Sequence, residues 1–265
     1  MAHNINDLKL TSKQLNLLHI VFKFRFVTST LLSQYRNTDK DSFNKRLQLL
    51  VNMKLLVKDY DPKWRIDRRP AEYSLSTLAL KLLREEGLHE KTLHSMYNNR
   101  LIKQSTRQRM LAIMQSTVIL KQSYGDQFYY YTANDLAGQR EFPLPRPSVY
   151  LSRVEPRTDL PNDYFIELCH TMQPFAFRAR FKELLQHYDD EGWQDGKYPT
   201  LLFILETERQ EKTFGSFVQE SLDSAGIDDL MVYTTTHEKL ISSITSRSIW
   251  SSITDPKKSL SLLGE

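Results

Sequence analysis

One stretch, residues 39–69, constrains the fold of this chain most strongly, because the pattern of a short amphipathic helix is followed at once by that of a β-hairpin. Phe43, Leu47 and Leu50 recur at spacings of three and four, which predicts a helix with one buried face. The opposite face carries amide, hydroxyl and ammonium groups, on Lys40, Ser42, Asn44, Lys45 and Gln48. Such a face can hydrogen-bond to base edges in a DNA major groove.

The hairpin is predicted from two short segments that flank a turn. Residues 55–60 and 71–75 are rich in β-forming residues, and Asp61-Pro62 opens the loop between them. This loop carries four cations: Lys63, Arg65, Arg68 and Arg69. A basic loop of this kind can neutralise phosphates beside the helix, so all nine polar residues of the two elements are candidate DNA contacts.

Helices are predicted on both sides of this stretch. Thr11 and Gln14 have the spacing of a capping box, residues 28–30 can cap a second helix, and Ser76 can begin one that ends near Gly87. The order helix, helix, helix, strand, strand, helix resembles the winged helix-turn-helix family over residues 10–87. The resemblance implies binding to double-stranded DNA, with protein docking as the alternative use of that fold.

Charge is distributed unevenly along the 265 residues. Residues 1–150 hold 24 Lys and Arg against 13 Asp and Glu, whereas residues 151–265 hold 12 against 19, so the halves carry +11 and −7. Lys and Arg that neutralise phosphates release counterions, which favours binding, whereas an acidic half is repelled by the same phosphates. We therefore expect DNA on the first half alone.

Composition excludes several classes of protein. A single cysteine, Cys169, rules out an internal disulfide framework and a multi-cysteine zinc site. The N-terminal residues lack the apolar run of a signal peptide, and no stretch reaches the roughly 18 apolar residues of a membrane span. We expect a cytoplasmic protein without a membrane partner, and we assign no cofactor and no metal site.

The chain is expected to divide into four parts. Residues 1–90 form the DNA-binding domain, residues 91–147 a helical bridge with a Pro-rich linker, residues 148–240 an α/β domain, and residues 241–265 a helical or disordered tail. The bridge has apolar residues at helical spacing with arginines beside them, so it either connects the domains or forms a homodimer. Strands alternating with helices after residue 148 predict the α/β domain.

The α/β part is similar to the core of the PD-(D/E)XK nuclease superfamily, since a strand with Asp163 and Glu167 is followed by a helix and a buried strand. That resemblance implies a degenerate restriction-endonuclease-like fold. In an active nuclease Asp163 and Glu167 would hold Mg²⁺, because it prefers oxygen ligands, and Lys182 would supply a cation. The superfamily has Glu-X-Lys, whereas Cys169 stands here in the position of the lysine, so no catalytic residue is assigned.

Most of the chain resembles the replication-relaxation family. The resemblance is carried by the winged-helix pattern, the basic segment with His94 and Asn98-Asn99, and the stretch from Arg178 to Tyr188. It implies a DNA-binding accessory or regulatory protein of a mobile genetic element, acting in plasmid replication or the conjugative relaxosome with a relaxase or a replication protein as partner. A Mg²⁺-dependent nuclease and a simple transcriptional repressor remain the alternatives.

Overall fold

The computed structural model describes residues 10–169, 172–194, 196–242, 248–255 and 258–263. The chain has a mixed α and β structure and divides into two compact units, with the boundary between Val118 and Ile119.

The first unit consists of helices and one hairpin. Its elements are α1 (Ser12–Phe24), α2 (Ser29–Arg36), α3 (Lys40–Asn52), β1 (Leu56–Asp59), β2 (Glu72–Leu75), α4 (Thr77–Glu85), α5 (Glu90–Met96) and the first part of α6 (Gln104–Tyr124). The three helices, two strands and fourth helix predicted over residues 10–87 are therefore confirmed as elements.

Local capping explains where these helices begin. Thr11 Oγ1 accepts from the Gln14 amide at 3.3 Å while Gln14 Oε1 accepts from the Thr11 amide at 2.8 Å, so the predicted capping box is present. The Ser42 amide donates to Asp39 Oδ2 at 2.8 Å, which fixes the start of α3.

One apolar core holds the first unit together. Leu18 and Val21 of α1 and Leu47 and Leu50 of α3 are fully buried in it, and Leu55 extends it to the hairpin. β1 and β2 pair antiparallel, and Tyr73 of β2 exchanges two backbone hydrogen bonds with Val27, which lies between α1 and α2. The hairpin is therefore tied to the three-helix core on its β2 side.

The second unit is built on a seven-stranded sheet of order β3-β4-β5-β6-β7-β8-β9. The strands are β3 (Phe128–Thr132), β4 (Val149–Arg153), β5 (Asp163–Leu168), β6 (Thr200–Leu205), β7 (Val232–Thr236), β8 (Trp250–Ser252) and β9 (Ser259–Leu260). β5, β6 and β7 run parallel, and the other neighbours pair antiparallel. The helices are the end of α6, α7 (Pro174–Asp189), α8 (Glu208–Ala225) and α9 (His237–Ser242).

Helices α7 and α8 share a core with one face of this sheet. Phe165, Phe203 and Leu205 of the sheet lie in one buried cluster with Phe181 of α7 and Phe214 of α8. Every residue of β6 is buried, as the continuous apolar run predicts for a strand covered on both faces.

Two expectations about segments outside the predicted α/β domain need correction. The strand predicted at residues 128–132 is confirmed, but it belongs to the sheet as its edge strand β3 and not to the bridge. Residues 241–265 were expected to be a helical or disordered tail, but their described part contributes β8 and β9. The Trp250 side chain is fully buried and its Nε1 donates to Tyr124 Oη at 3.1 Å, which explains why this segment is packed.

Two arginines hold the end of the described chain. Arg153 donates to the Leu262 carbonyl at 2.6 Å, and Arg157 donates to the Leu263 carbonyl at 2.6 Å. Leu262 is fully buried, so these residues belong to the folded unit. No helix in the described part of the chain is long and apolar enough to cross a membrane.

Candidate nucleic-acid interface

Helix α3 presents the polar face that the sequence predicts. Phe43, Leu47 and Leu50 are buried. Four of the five predicted contact residues, Lys40, Asn44, Lys45 and Gln48, are exposed, and Ser42 is half-buried. Gln48 Nε2 donates to Asn52 Oδ1 at 2.9 Å, so this amide pair is already ordered on the helix surface. The described residues offer no ion pair to Lys40 or Lys45, which leaves both ammonium groups available to a ligand.

The loop between β1 and β2 is shaped by a short 3₁₀ turn at Pro62–Arg65, which Asp61 caps by accepting from the Lys63 amide at 2.9 Å. Lys63, Arg65 and Arg68 are exposed. Arg68 adopts a φ of 53°, the left-handed conformation that lets the loop turn back toward β2. Three cations thus lie at the hairpin tip.

Arg69, the fourth predicted cation, has a different environment. Its guanidinium lies 4.0 Å from the centre of the Trp64 ring and forms an ion pair with the carboxylate of Glu72. The exposed fraction of Glu72 is only 1%, so its charge needs a compensating partner. Arg69 is therefore engaged by Trp64 and Glu72 at the base of the loop, and we do not assign it to phosphate contacts.

A second arginine supports the same carboxylate and was not predicted. Arg107 of α6 forms an ion pair with Asp59, and its Nη1 lies 3.9 Å from Glu72 Oε2. Its guanidinium also packs 5.3 Å from the centre of the Phe26 ring. Asp59 and Glu72 are directly opposite each other in the hairpin. Two like charges directly opposite each other are unfavourable unless a cation lies beside them. The acidic pair in the predicted hairpin is therefore a signal in the sequence for a nearby cation.

A further set of hydrogen bonds connects the end of α1 to the last turn of α5 and to the segment that follows it. Arg25 Nε donates to Asn99 Oδ1 at 2.7 Å, and its Nη2 donates to the Ser95 carbonyl at 2.7 Å. Burial lowers the pKa of the Arg25 guanidinium from its usual value. The residues from Ser95 to Arg107, predicted to be a bridge or a dimer element, thus form part of the first unit and brace its hairpin.

The carboxylates predicted for the alternative nuclease site lie in the second unit. Glu167 is buried on β5, where Arg180 Nε donates to its Oε1 at 2.7 Å and Ser148 Oγ donates to its Oε2 at 2.9 Å. Arg180 is buried as well, with an exposed fraction of 5%. Both oxygens of Glu167 are therefore occupied by partners from the protein itself.

Asp163 and Lys182 do not join Glu167 in one site. Asp163 and Glu167 are four residues apart on one strand, a separation of roughly 13 Å at the usual rise per residue. Asp163 accepts instead from Tyr150 Oη at 2.5 Å, and this hydrogen bond, together with burial as the larger cause, raises the pKa of Tyr150. Lys182 is exposed, with its Nζ 5.9 Å from the Phe217 ring centre.

Metal binding finds no other support in the described residues. They contain no group of three or more His, Cys, Asp and Glu side chains that could hold an ion. Cys169 is buried and forms no disulfide, and His170, which follows it, lies outside the described residues. Comparison of the chain with protein families, curated proteins and solved structures gives no significant match.

Proposed function

We propose that the first unit is a winged helix-turn-helix domain that binds double-stranded DNA. Helix α3 enters the major groove with Asn44, Lys45 and Gln48 toward base edges, and the β1–β2 loop is the wing that lies along the phosphates. The observation that carries this proposal is the shared placement of an exposed polar helix face and three exposed loop cations in one compact unit.

The internal bracing of the hairpin supports the same proposal. Arg69 and Arg107 both act on the buried Glu72, and Trp64 is packed under Arg69. A wing that is held by its own unit loses little conformational freedom on contacting DNA, so more of each phosphate contact contributes to affinity. Lys63, Arg65 and Arg68 are the residues assigned to those phosphate contacts.

The opposite net charges of the two units support different binding roles for them. The first unit contains 21 Lys and Arg against 10 Asp and Glu, a net charge of +11, and the second contains 15 against 22, a net charge of −7. The first unit attracts the DNA polyanion and the second is repelled by it. The second unit is accordingly assigned to a protein partner.

We place the protein among DNA-binding accessory or regulatory proteins of mobile genetic elements. The sequence pattern that resembles the replication-relaxation family supports this assignment, and the stretch Arg178 to Tyr188 of that pattern lies within α7. A relaxase, a replication protein or a second copy of the chain would be the partner of the acidic unit. Co-purification of the chain with each of these candidates distinguishes them.

The DNA proposal is tested by comparing two sets of variants of the full chain. Lys63→Ala, Arg65→Ala and Arg68→Ala should weaken binding to all duplexes equally and reduce the salt dependence. Asn44→Ala or Lys45→Ala should lose about 1–3 kcal/mol of discrimination at a few base pairs of a selected site. Fluorescence anisotropy on selected and random duplexes measures both effects.

Lys81→Ala on α4 is a matched control for charge, since Lys81 is an exposed cation of the same unit. It should change neither affinity nor discrimination beyond the small effect of one net charge. If the α3 variants and the loop variants had equal effects on random DNA, base reading by α3 would be excluded.

A further inference from the structure

The first unit contains a cavity with a basic rim that is distinct from the proposed base-reading face. It has a volume of about 420 Å³ and lies among the first turns of α1, the end of α2 and the first half of α3. Leu17, Ile20 and Phe43 form its apolar floor, and all three are buried in the core of the unit.

The polar side chains that line this cavity among the described residues are neutral or cationic. Lys13, Arg36 and Arg46 supply three positive charges, and Ser12, Asn16 and Thr38 supply hydroxyl and amide groups. Within residues 10–169 no acidic side chain lines the cavity, although Asp39 and Asp41 lie nearby in the sequence. The carboxylate of Asp39 is already engaged in capping α3. Three like charges gathered around one concave surface favour an anion.

Two of the cations are positioned by the protein. Arg36 Nη2 donates to Asn16 Oδ1, and the Arg46 guanidinium lies 5.4 Å from the centre of the Phe43 ring. Such contacts restrict the two long side chains before any ligand arrives, so less conformational entropy is lost on binding. A guanidinium also matches the geometry of phosphate oxygens with two parallel donors.

We infer that this cavity binds one phosphodiester group of the duplex, outside the segment read by α3. Arg46 follows Lys45 on α3 and is rotated from it by about 100° around the helix axis. A duplex whose bases face Lys45 therefore has a backbone strand within reach of the flank that carries Arg46. This inference rests on the proposed function, because it deepens the DNA contact of the same unit.

The test uses the full chain with the triple variant Lys13→Ala, Arg36→Ala and Arg46→Ala, and a random 20-bp duplex with 5′-hydroxyl ends. One neutralised phosphate contributes a slope of about −0.9 to log K against log salt. The triple variant should lose that single contribution, so its affinity loss between 50 and 200 mM salt should be roughly threefold smaller than that of the wild type. Binding at 50 mM salt should weaken by about tenfold.

Matched variants separate this inference from the proposed function. Lys81→Ala with Arg84→Ala and Lys91→Ala removes three exposed cations of the same unit and should leave the salt slope unchanged. Arg36→Lys keeps the charge but loses the paired donors, so it should weaken binding while keeping the slope. Thermal unfolding of each variant checks that the fold is retained.

The outcomes are distinguishable. A wild-type slope in the triple variant, with binding still lost on removing Lys63, Arg65 and Arg68, overturns the cavity inference and leaves the DNA proposal standing. If the magnitude of the slope fell by nearly three, the three cations would contact three separate phosphates, and the single-site inference would be overturned. Binding that requires 5′-phosphorylated ends would replace the internal phosphodiester by a terminal phosphate. No DNA binding by the wild type would end both proposals.

Discussion

The stability contributed by the buried Arg180–Glu167 ion pair of the second unit tests whether Glu167 is a structural or a catalytic carboxylate. Replacing Arg180 by Met leaves the carboxylate of Glu167 in the interior, with the Ser148 hydroxyl as its remaining side-chain partner in the described part of the chain. The side chains of Arg180 and Glu167 are 5% and 3% exposed, so water can hardly compensate for the lost guanidinium. We expect the free energy of unfolding to fall by about 3–5 kcal/mol.

The matched double variant, Arg180→Met with Glu167→Gln, removes both charges together. Replacing a buried pair by neutral side chains of similar size is often close to neutral, so it should recover most of the loss seen for Arg180→Met. Lys182→Met serves as the control on the same helix. Lys182 is exposed, and its replacement should change the free energy of unfolding by less than about 0.5 kcal/mol.

Urea unfolding followed by tryptophan fluorescence measures these differences, and incubation with supercoiled plasmid and Mg²⁺ measures strand cleavage. We expect no nicking, because both oxygens of Glu167 are hydrogen-bonded within the protein. The reasoning would be refuted if Arg180→Met cost less than about 1 kcal/mol, or if the wild type nicked the plasmid and Glu167→Ala abolished that activity.

Three further predictions concern other parts of the chain. Arg69→Ala should destabilise the protein by about 1–3 kcal/mol because Glu72 loses its nearest cation, whereas Arg68→Ala should cost less than about 0.5 kcal/mol; equal costs in urea unfolding would contradict the distinction. Trp250→Ala should cost about 3–5 kcal/mol in the same assay, and an unchanged midpoint would contradict the packing of the last strands. Burial lowers the pKa of His187, so the wild type should lose stability as the pH falls below about 6.5, where the unfolded imidazole takes up a proton. His187→Gln should remove that part of the pH dependence, and identical pH profiles for the two proteins would exclude it.

Local signals were sufficient to predict the elements. Helical spacing predicts the buried face of α3, capping side chains at Thr11 and Ser76 predict helix starts, and a continuous apolar run predicts the buried strand β6. Each of these depends on neighbours within a few residues along the chain, so a single sequence contains the necessary information.

Contacts between distant parts of the chain could not be predicted in this way. The opposed carboxylates of Asp59 and Glu72 indicate that a cation is needed, but Arg107 lies 48 residues after Asp59, and no local pattern identifies it as that cation. The strand at Trp250 is only three residues long, and its burial depends on Tyr124, which is 126 residues away. The partners of Glu167 are likewise set by the sheet and α7 rather than by the residues beside it.

The candidate interface shows the same limit. The sequence gives no reason to distinguish the four loop cations. In the fold, Arg69 contacts Trp64 and Glu72, whereas the other three are exposed. The basic cavity among α1, α2 and α3 combines residues 13, 36 and 46, which have no common local pattern. Only the packing of the three helices brings these residues together.

The salt dependence of duplex binding by the full wild-type chain tests the central claim most directly. If Lys63, Arg65 and Arg68 each neutralise one phosphate, log K against log salt should fall with a slope of roughly −3, or roughly −4 when the basic cavity holds a fourth phosphate. Absence of duplex binding at about 50 mM salt, or an affinity that does not change with salt, would contradict the assignment of the first unit to DNA.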